Sequence, residues 1–183
     1  PISLGSNLIK RKILFWATSN NVGKYLGDNG GVTKTNKDGK AILRIKCPKS
    51  YNDGLPHVHF LIATSNGQQW ISNIYTMIVT CKLNKKEMKI AVKNKTHLVI
   101  DALPEKFYNK RHIKNAINLS YQKAERLSIT QIRKHIKQLC TGFKRYKLLK
   151  TPIIVYGYSK ECSAPKRLAT ILNTAGFTNV KLY

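Results

Sequence analysis

The chain has 183 residues, of which 33 are lysine or arginine and 8 are aspartate or glutamate, so its formal net charge is +25. Hydrophobic residues make up 42% of the sequence, which is enough to build packed cores and excludes a wholly disordered protein. The length accommodates one ordinary domain or two small ones. The charge predicts a polyanionic partner, either nucleic acid or an acidic protein surface, because self-repulsion of this size calls for countercharge.

The positive charge is spread evenly along the chain. Residues 1–95 carry 16 basic and 4 acidic side chains, and residues 96–183 carry 17 and 4. There is no basic tail, so we assign the charge to the surfaces of folded domains. Lysines outnumber arginines by 26 to 7, which favours diffuse electrostatic contact with the partner over bidentate recognition of bases or phosphates.

Neither a membrane span nor a signal peptide is predicted. The longest apolar stretches, residues 13–17 and 58–63, are too short for either. The four cysteines lie far apart without a CxxC pair, which argues against a zinc ribbon and suits a reducing compartment. We therefore expect a soluble intracellular protein.

Short strands are predicted for the first half of the chain. Four runs rich in β-branched and aromatic residues are separated by turns that contain Gly, Asn and Asp: residues 13–17, 41–46, 57–63 and 74–80. Their spacing predicts an all-β sandwich over residues 1–92, and no helical period of sufficient length precedes residue 100. Residues 84–95, rich in lysine and poor in large apolar side chains, predict a linker, with an additional strand at residues 88–92.

Strands and helices alternate in the second half, which predicts an α/β domain with a small parallel sheet over residues 96–183. Ser128 and Gln131 form a capping box for one predicted helix, and Gly176 stops the other. The predicted elements are strands at residues 97–100, 152–156 and 178–182 and helices at residues 128–140 and 163–175.

A candidate metal site lies in the third predicted strand. His57 and His59 are two residues apart, so their imidazoles project from one face of the strand and can share a metal ion. Further residues surround this pair in a fixed order: Trp16-x6-Gly23-Lys24-Tyr25, Gly31-x-Thr33, Thr35-Asn-Lys-Asp-Gly39, Pro48-Lys-Ser-Tyr51, Pro56-His-Val-His-Phe60 and Asn73-Ile-Tyr75. This ordered set resembles the intradiol ring-cleavage (catechol) dioxygenases over residues 12–80.

The resemblance to intradiol dioxygenases implies an Fe(III) cofactor held by Tyr25, Tyr51, His57 and His59. Phenolate oxygens are hard anionic donors that stabilise ferric iron, and imidazoles complete a site with an open position. The implied substrate is a catechol-like aromatic that chelates the iron, and Tyr25 is the ligand expected to depart when it binds. Gly54 stands where the family usually has an arginine. The sequence therefore also allows a scaffold that keeps this fold as a relic or as a structural metal site.

A second family resemblance covers residues 96–183. The segments that carry it are Leu98-Val-Ile-Asp101, Phe107-Tyr108, Arg111-His-Ile-Lys-Asn-Ala-Ile-Asn-Leu119, Pro152-Ile-Ile-Val-Tyr156 and Ala175-Gly-Phe-Thr-Asn-Val180. Together they resemble the rhodanese family. The resemblance implies a nucleophilic cysteine directly after the strand that ends at Tyr156, in a loop that cradles an anion at the start of a helix. Gly157 stands at that position, and Cys162 follows five residues later.

This loop has two interpretations. In one, Cys162 is a relocated nucleophile and the domain is a sulfurtransferase. In the other, which the missing cysteine favours, the domain has lost sulfur transfer and persists as a packing or docking module. His112 is expected to be structural in either case, because the family uses its segment to build the fold.

The sequence thus supports three functions. The main prediction is an iron-binding intradiol dioxygenase-like domain fused to an inactive rhodanese-like domain, in a basic protein that lies against a polyanion. The first alternative is a non-catalytic structural component of a large assembly, for example a large DNA virus particle (virion), built from borrowed enzyme folds. The second alternative is a sulfurtransferase that uses Cys162.

Overall fold

The computed structural model describes residues 2–3, 8–18, 29–48, 54–143 and 146–183. The chain divides into two compact units, residues 1–79 and residues 80–183. In the described segments, no helix is both long enough and apolar enough to span a membrane.

The strands described in the first unit pair in antiparallel fashion. They are β1 (Ile2–Ser3), β2 (Lys12–Ala17), β3 (Gly30–Lys34), β4 (Lys40–Ala41), β5 (His57–Ile62) and β6 (Tyr75–Ile78). Four of them form a sheet in the order β3-β2-β5-β6, while β1 pairs with β4. In this register Trp16 of β2 lies opposite His59 of β5.

The sheet of the first unit has one buried face, since successive side chains of a strand point to opposite sides. His57 and His59 alternate along β5 with buried residues, so both imidazoles lie on the other face of the strand. The buried side chains are apolar and form one core: Ile13, Phe15, Ala17, Ala41, Val58, Phe60 and Ile62.

The β-strand character predicted for the first half is confirmed, and the structure shows that its strands are antiparallel, but the predicted strand at residues 41–46 ends at Ala41. Asn29 explains the difference. Its side-chain oxygen accepts from the Lys46 N–H at 2.7 Å, and its side-chain nitrogen donates to the Lys46 carbonyl at 3.2 Å. The backbone N–H and carbonyl of Lys46 thus bond to a side chain instead of to a neighbouring strand. Among the described residues, the second sheet of the predicted sandwich is represented by the β1–β4 pair alone.

The second unit alternates strands and helices. Its elements are β7 (Cys81–Lys82), α1 (Lys85–Lys93), β8 (Leu98–Asp101), α2 (Glu105–Lys110), β9 (Ile117–Asn118), α3 (Tyr121–Glu125), α4 (Ile129–Leu139), β10 (Ile153–Tyr156), α5 (Ala164–Thr174) and β11 (Val180–Leu182). The five strands are parallel and lie in the order β7-β11-β10-β8-β9. The predicted α/β domain with a small parallel sheet is confirmed.

Helices cover both faces of the parallel sheet. On one face, Met88 and Ala91 of α1 pack with Tyr156 of β10. The opposite face holds a larger core, in which Ile136 of α4 and Leu168 of α5 are fully buried. Because β10 is covered on both sides, its sequence is a continuous apolar run rather than an alternating one.

The linker predicted at residues 84–95 is wrong, and so is the strand predicted at residues 88–92, because this segment forms α1. Asn84 caps the helix: its side chain accepts from the Glu87 N–H at 3.0 Å, and the Glu87 carboxylate accepts from the Asn84 N–H at 2.7 Å. Only two residues of α1 are buried, so its apolar stripe is too narrow to appear as a helical period in the sequence.

The later helices agree with their sequence signals. Ser128 accepts from the Gln131 N–H at the start of α4, and the Gln131 side chain accepts from the Ser128 N–H, which completes the predicted capping box. Gly176 follows α5 with a φ of +92°, in the left-handed region that glycine tolerates best.

Candidate functional site

Two histidines of β5 approach each other on one face of the strand. Nε2 of His57 lies 3.1 Å from Nε2 of His59. Nδ1 of His57 lies 2.7 Å from the Leu55 carbonyl oxygen, and since a carbonyl can only accept, neutral His57 carries its proton on Nδ1. The Nε2 atom of His57 therefore presents a lone pair toward His59. On the far side, His59 Nδ1 bonds with Thr76 Oγ1 at 3.0 Å.

The separation of the two Nε2 atoms fits a shared metal ion. Two nitrogens that each lie about 2.0–2.1 Å from one metal are about 3.1 Å apart when the angle at the metal is about 100°. Burial, and then repulsion from His57, lowers the pKa of His59, which keeps its imidazole neutral and able to bind metal. The pair therefore offers two adjacent nitrogen ligands of a type that suits iron, zinc, copper or nickel.

The structure brings together two of the four residues predicted as iron ligands, His57 and His59. The other two, Tyr25 and Tyr51, lie outside the described residues. Across the part of the chain that is described, no cluster of three or more His, Cys, Asp and Glu side chains could hold a metal ion. Within the described residues, the further ligands of a complete site at the histidine pair would therefore have to be of another kind, such as phenolate or water.

The second candidate site is the loop of residues 157–163, which connects β10 to α5. Cys162 lies near the end of this loop and carries a free, half-buried thiol. The Cys162 N–H donates to the Ser159 carbonyl at 3.2 Å, which closes a turn within the loop. Pro165 stands in the first turn of α5, where its fixed φ is already helical.

Gly157 lies where a side chain would find no room. A Cβ at this residue would come within 2.8 Å of Pro165 Cγ and within 3.1 Å of Cys162 Sγ. The first distance is shorter than any normal contact between carbon atoms. The space beside residue 157 is thus filled by the Pro165 ring and by the thiol of Cys162.

The loop forms one wall of a cavity of about 740 Å³. The Ser159 hydroxyl, the backbone N–H of Glu161 and neighbouring lysines hold the pKa of the Glu161 carboxyl below its usual value, so it is charged at neutral pH. Four lysines outweigh that charge and give the lining a formal charge of +3, which attracts anionic ligands. The charged residues and the thiol that line the cavity are Lys82, Lys85, Lys160, Lys166, Glu161 and Cys162.

The sequence pointed to Cys162 but to none of its four lysine neighbours. Lys82 and Lys85 precede the predicted domain, and they reach the cavity because β7 pairs with β11 at the edge of the sheet. Nothing local in the sequence indicates this pairing. His112, expected to be structural, donates from Nδ1 to the Tyr108 carbonyl at 2.9 Å and stacks on the Tyr108 ring, with the ring centroids 4.0 Å apart.

The chain shows similarity to known proteins over its second unit. The family model of the rhodanese-like domain matches residues 84–183. No curated protein sequence matches the chain significantly.

Solved structures give weaker similarities. An uncharacterized protein from Saccharomyces cerevisiae is 20% identical, with 57% of this chain and 84% of that chain covered and a TM-score of 0.43. The 3-mercaptopyruvate sulfotransferase SseA from Escherichia coli is 22% identical, with 61% and 44% covered and a TM-score of 0.43. The single-domain sulfurtransferase RDL2 from Saccharomyces cerevisiae is 16% identical, with 60% and 86% covered and a TM-score of 0.43.

Proposed function

The chain belongs to the rhodanese-like family, and we propose that its second unit is a sulfurtransferase that carries sulfur on Cys162. One observation carries the choice of nucleophile: Cys162 Sγ lies 3.1 Å from the place that a Cβ would take at residue 157. In the family's usual arrangement, the nucleophilic cysteine stands at that residue. Cys162 lies near the end of the loop where α5 begins, and its thiol approaches residue 157 at the start of the loop.

The proposed transfer consists of two displacements at sulfur. The Cys162 thiolate attacks the outer sulfur of thiosulfate, forms an S–S bond and releases sulfite as the leaving group. The persulfide then gives its outer sulfur to cyanide, which departs as thiocyanate and restores the thiolate. Both thiosulfate and cyanide are anions, so the positively charged cavity raises their local concentration at Cys162.

The lining of the cavity favours an active domain over a module that has lost sulfur transfer. A domain kept only for packing has no need of a free thiol in the wall of a basic cavity of about 740 Å³. A cavity of this size falls in the range that small-molecule sites usually occupy. The free thiol of Cys162 in this lining therefore supports displacement of the nucleophile along the loop, although Gly157 stands at the family's usual position.

The test is thiocyanate production by the full chain from thiosulfate and cyanide. Cys162→Ser is expected to abolish the activity, and mass spectrometry of the parent protein after thiosulfate treatment is expected to find the added sulfur on Cys162. Cys140→Ser is the matched control, because Cys140 is also free and half-buried but does not line the cavity. Full activity in Cys162→Ser, or persulfide formed on Cys140 instead, would show that the nucleophile is misassigned.

We also propose that the first unit binds a metal ion through His57 and His59. The 3.1 Å separation of their Nε2 atoms and the anchoring of His57 by the Leu55 carbonyl support this second function. Following the resemblance to intradiol dioxygenases, the proposed ion is Fe(III), with Tyr25 and Tyr51 as the remaining protein ligands. Iron held there would supply the Lewis acidity that activates a catechol-like substrate toward ring cleavage. The chain's own contribution is to hold two neutral imidazoles in place for the ion.

Metal analysis and a visible spectrum of the purified full chain test this site. One iron per chain and an absorption band from phenolate-to-iron charge transfer are expected, and both should be lost in the His57→Ala/His59→Ala variant. His112→Ala is the control, since this exposed histidine lies in the second unit. Iron binding without the charge-transfer band would support the histidine pair as iron ligands and exclude the two tyrosines from that role. A variant without the histidines that binds as much iron as the parent protein would contradict the proposal.

A further inference from the structure

The cavity beside Cys162 is much larger than a sulfur donor requires. Its volume of about 740 Å³ is several times that of an ion the size of thiosulfate. Tyr158, which also lines it, is 89% exposed, although burial of a tyrosine ring is strongly favourable. An aromatic ring that stands in solvent at the mouth of a basic cavity is a stacking platform for a planar ligand.

A stripe of lysines leads away from the same cavity. Lys85, at the first position of α1, lines the cavity, and Lys89 and Lys93 follow at intervals of four residues, which is a rise of about 6 Å for each step. Together with Lys86 they occupy an arc of about 100° on the helix. All four are exposed, while the opposite side of α1 packs on the sheet.

The acidic residue of α1 does not interrupt this stripe. The Glu87 carboxylate accepts from the Asn84 N–H in the capping box and lies outside the arc of the lysines. The lysines of α1 thus form a row of positive charges that ends at the cavity, with Lys82, Lys160 and Lys166 around it. A linear polyanion with regularly spaced charges fits such a row better than a compact anion does.

We propose that this surface binds single-stranded nucleic acid, with phosphates along the α1 lysines and one base stacked on Tyr158 at the mouth of the cavity. The net charge allows two kinds of polyanion, nucleic acid and an acidic protein segment, and the exposed ring of Tyr158 favours nucleic acid. An acidic protein segment can use the lysines but has no planar groups at regular intervals, whereas every nucleotide pairs a phosphate with a stacking face. The proposal does not depend on sulfur transfer, since binding of phosphates by the α1 lysines and of a base by Tyr158 needs no reaction at Cys162.

Fluorescence anisotropy with a short labelled oligothymidylate and the full chain tests the proposal. Tyr158→Ala is expected to weaken binding roughly 5- to 150-fold, the range found when a base loses its aromatic partner, without changing the salt dependence. Lys85→Glu/Lys89→Glu is expected to weaken binding and to reduce the slope of log affinity against log salt concentration by about 0.7 for each phosphate that the protein no longer neutralises. Repeating the titration with Cys162→Ser, which should bind as the parent does, separates this result from the fate of the sulfurtransferase proposal.

The matched control is Lys134→Glu/Lys137→Glu, which changes the net charge equally on exposed positions of α4, on the other face of the sheet. It is expected to bind nearly as well as the parent protein. If both double variants weaken binding equally, the attraction is diffuse and the stripe on α1 is not a site. If polyglutamate competes as well as the oligonucleotide, or if Tyr158→Ala binds the oligonucleotide unchanged, the partner is not single-stranded nucleic acid.

Discussion

Replacing Gly157 by alanine is expected to destabilise the second unit. The added Cβ would lie 2.8 Å from Pro165 Cγ and 3.1 Å from Cys162 Sγ. The pyrrolidine ring of Pro165 is closed onto the backbone of α5, so it cannot rotate out of the way. Overpacking of this kind costs about 1–3 kcal/mol. In a domain of about 100 residues, each kcal/mol lowers Tm by roughly 4–8 °C.

Two spectroscopic signals of the full chain locate this effect. The helices α1 to α5 all belong to the second unit, so far-ultraviolet circular dichroism follows its unfolding. The two tryptophans of the chain, Trp16 and Trp70, both belong to the first unit. Their fluorescence is therefore an internal control, and we expect its transition to stay where it is in the parent protein.

A double-mutant cycle with Pro165→Ala isolates the steric cause. If the collision with the proline ring is responsible, Gly157→Ala/Pro165→Ala loses less stability than the sum of the two single variants, by about 1 kcal/mol or more. Strictly additive losses, or a Gly157→Ala protein as stable as the parent, would refute the reasoning. Displacement of the Cys162 thiol should also lower thiocyanate production by Gly157→Ala in the assay described above.

Two further predictions concern the stability of the second unit. Ile136→Ala should lower the free energy of unfolding of this unit by about 2–5 kcal/mol in urea denaturation, because Ile136 is fully buried in the larger core. Ile129→Ala, at an exposed position of the same helix, is the control and should cost less than about 1 kcal/mol. If both variants lost the same stability, Ile136 would not belong to the core. The free energy of unfolding should also fall as the pH is lowered from about 6.5 to about 4. Burial, and then the charge of Lys181, lowers the pKa of His97 to about 4 in the folded state. Between these two pH values the unfolded chain therefore binds a proton at His97 that the folded chain does not bind, and the folded state loses stability. His97→Gln should flatten this dependence, and an unchanged pH profile in that variant would assign it to other groups.

Local patterns were sufficient for much of the second unit. The apolar run that forms β10 and the capping box at Ser128 are signals within a few residues, and both correspond to the observed elements. The position of Cys162 at the end of a strand-to-helix loop follows from the same signals. Its approach to Gly157 does not, because it depends on how the loop folds back on the ring of Pro165.

The elements that sequence reasoning missed depend on contacts that lie outside any short window. β3 begins with two glycines, which weaken a strand pattern, and it is held by pairing with β2. The spacing of His57 and His59 places them on one face, but their 3.1 Å approach depends on the Leu55 carbonyl, which fixes the His57 ring. Lys82 enters the cavity through a pairing with Leu182, a residue near the far end of the unit.

That last pairing has a consequence for biosynthesis. The edge strand β7 is synthesised first and its partner β11 last, so nearly the whole second unit must be synthesised before these two strands can pair. Contacts between residues so distant in sequence slow folding, since the intervening chain must be ordered before they form. Until then β10 presents an unpaired apolar edge, which can join another chain. The lysines of β7 and α1 meet Cys162 only when this closure is complete, so an unfinished chain would display a charged helix without its cavity.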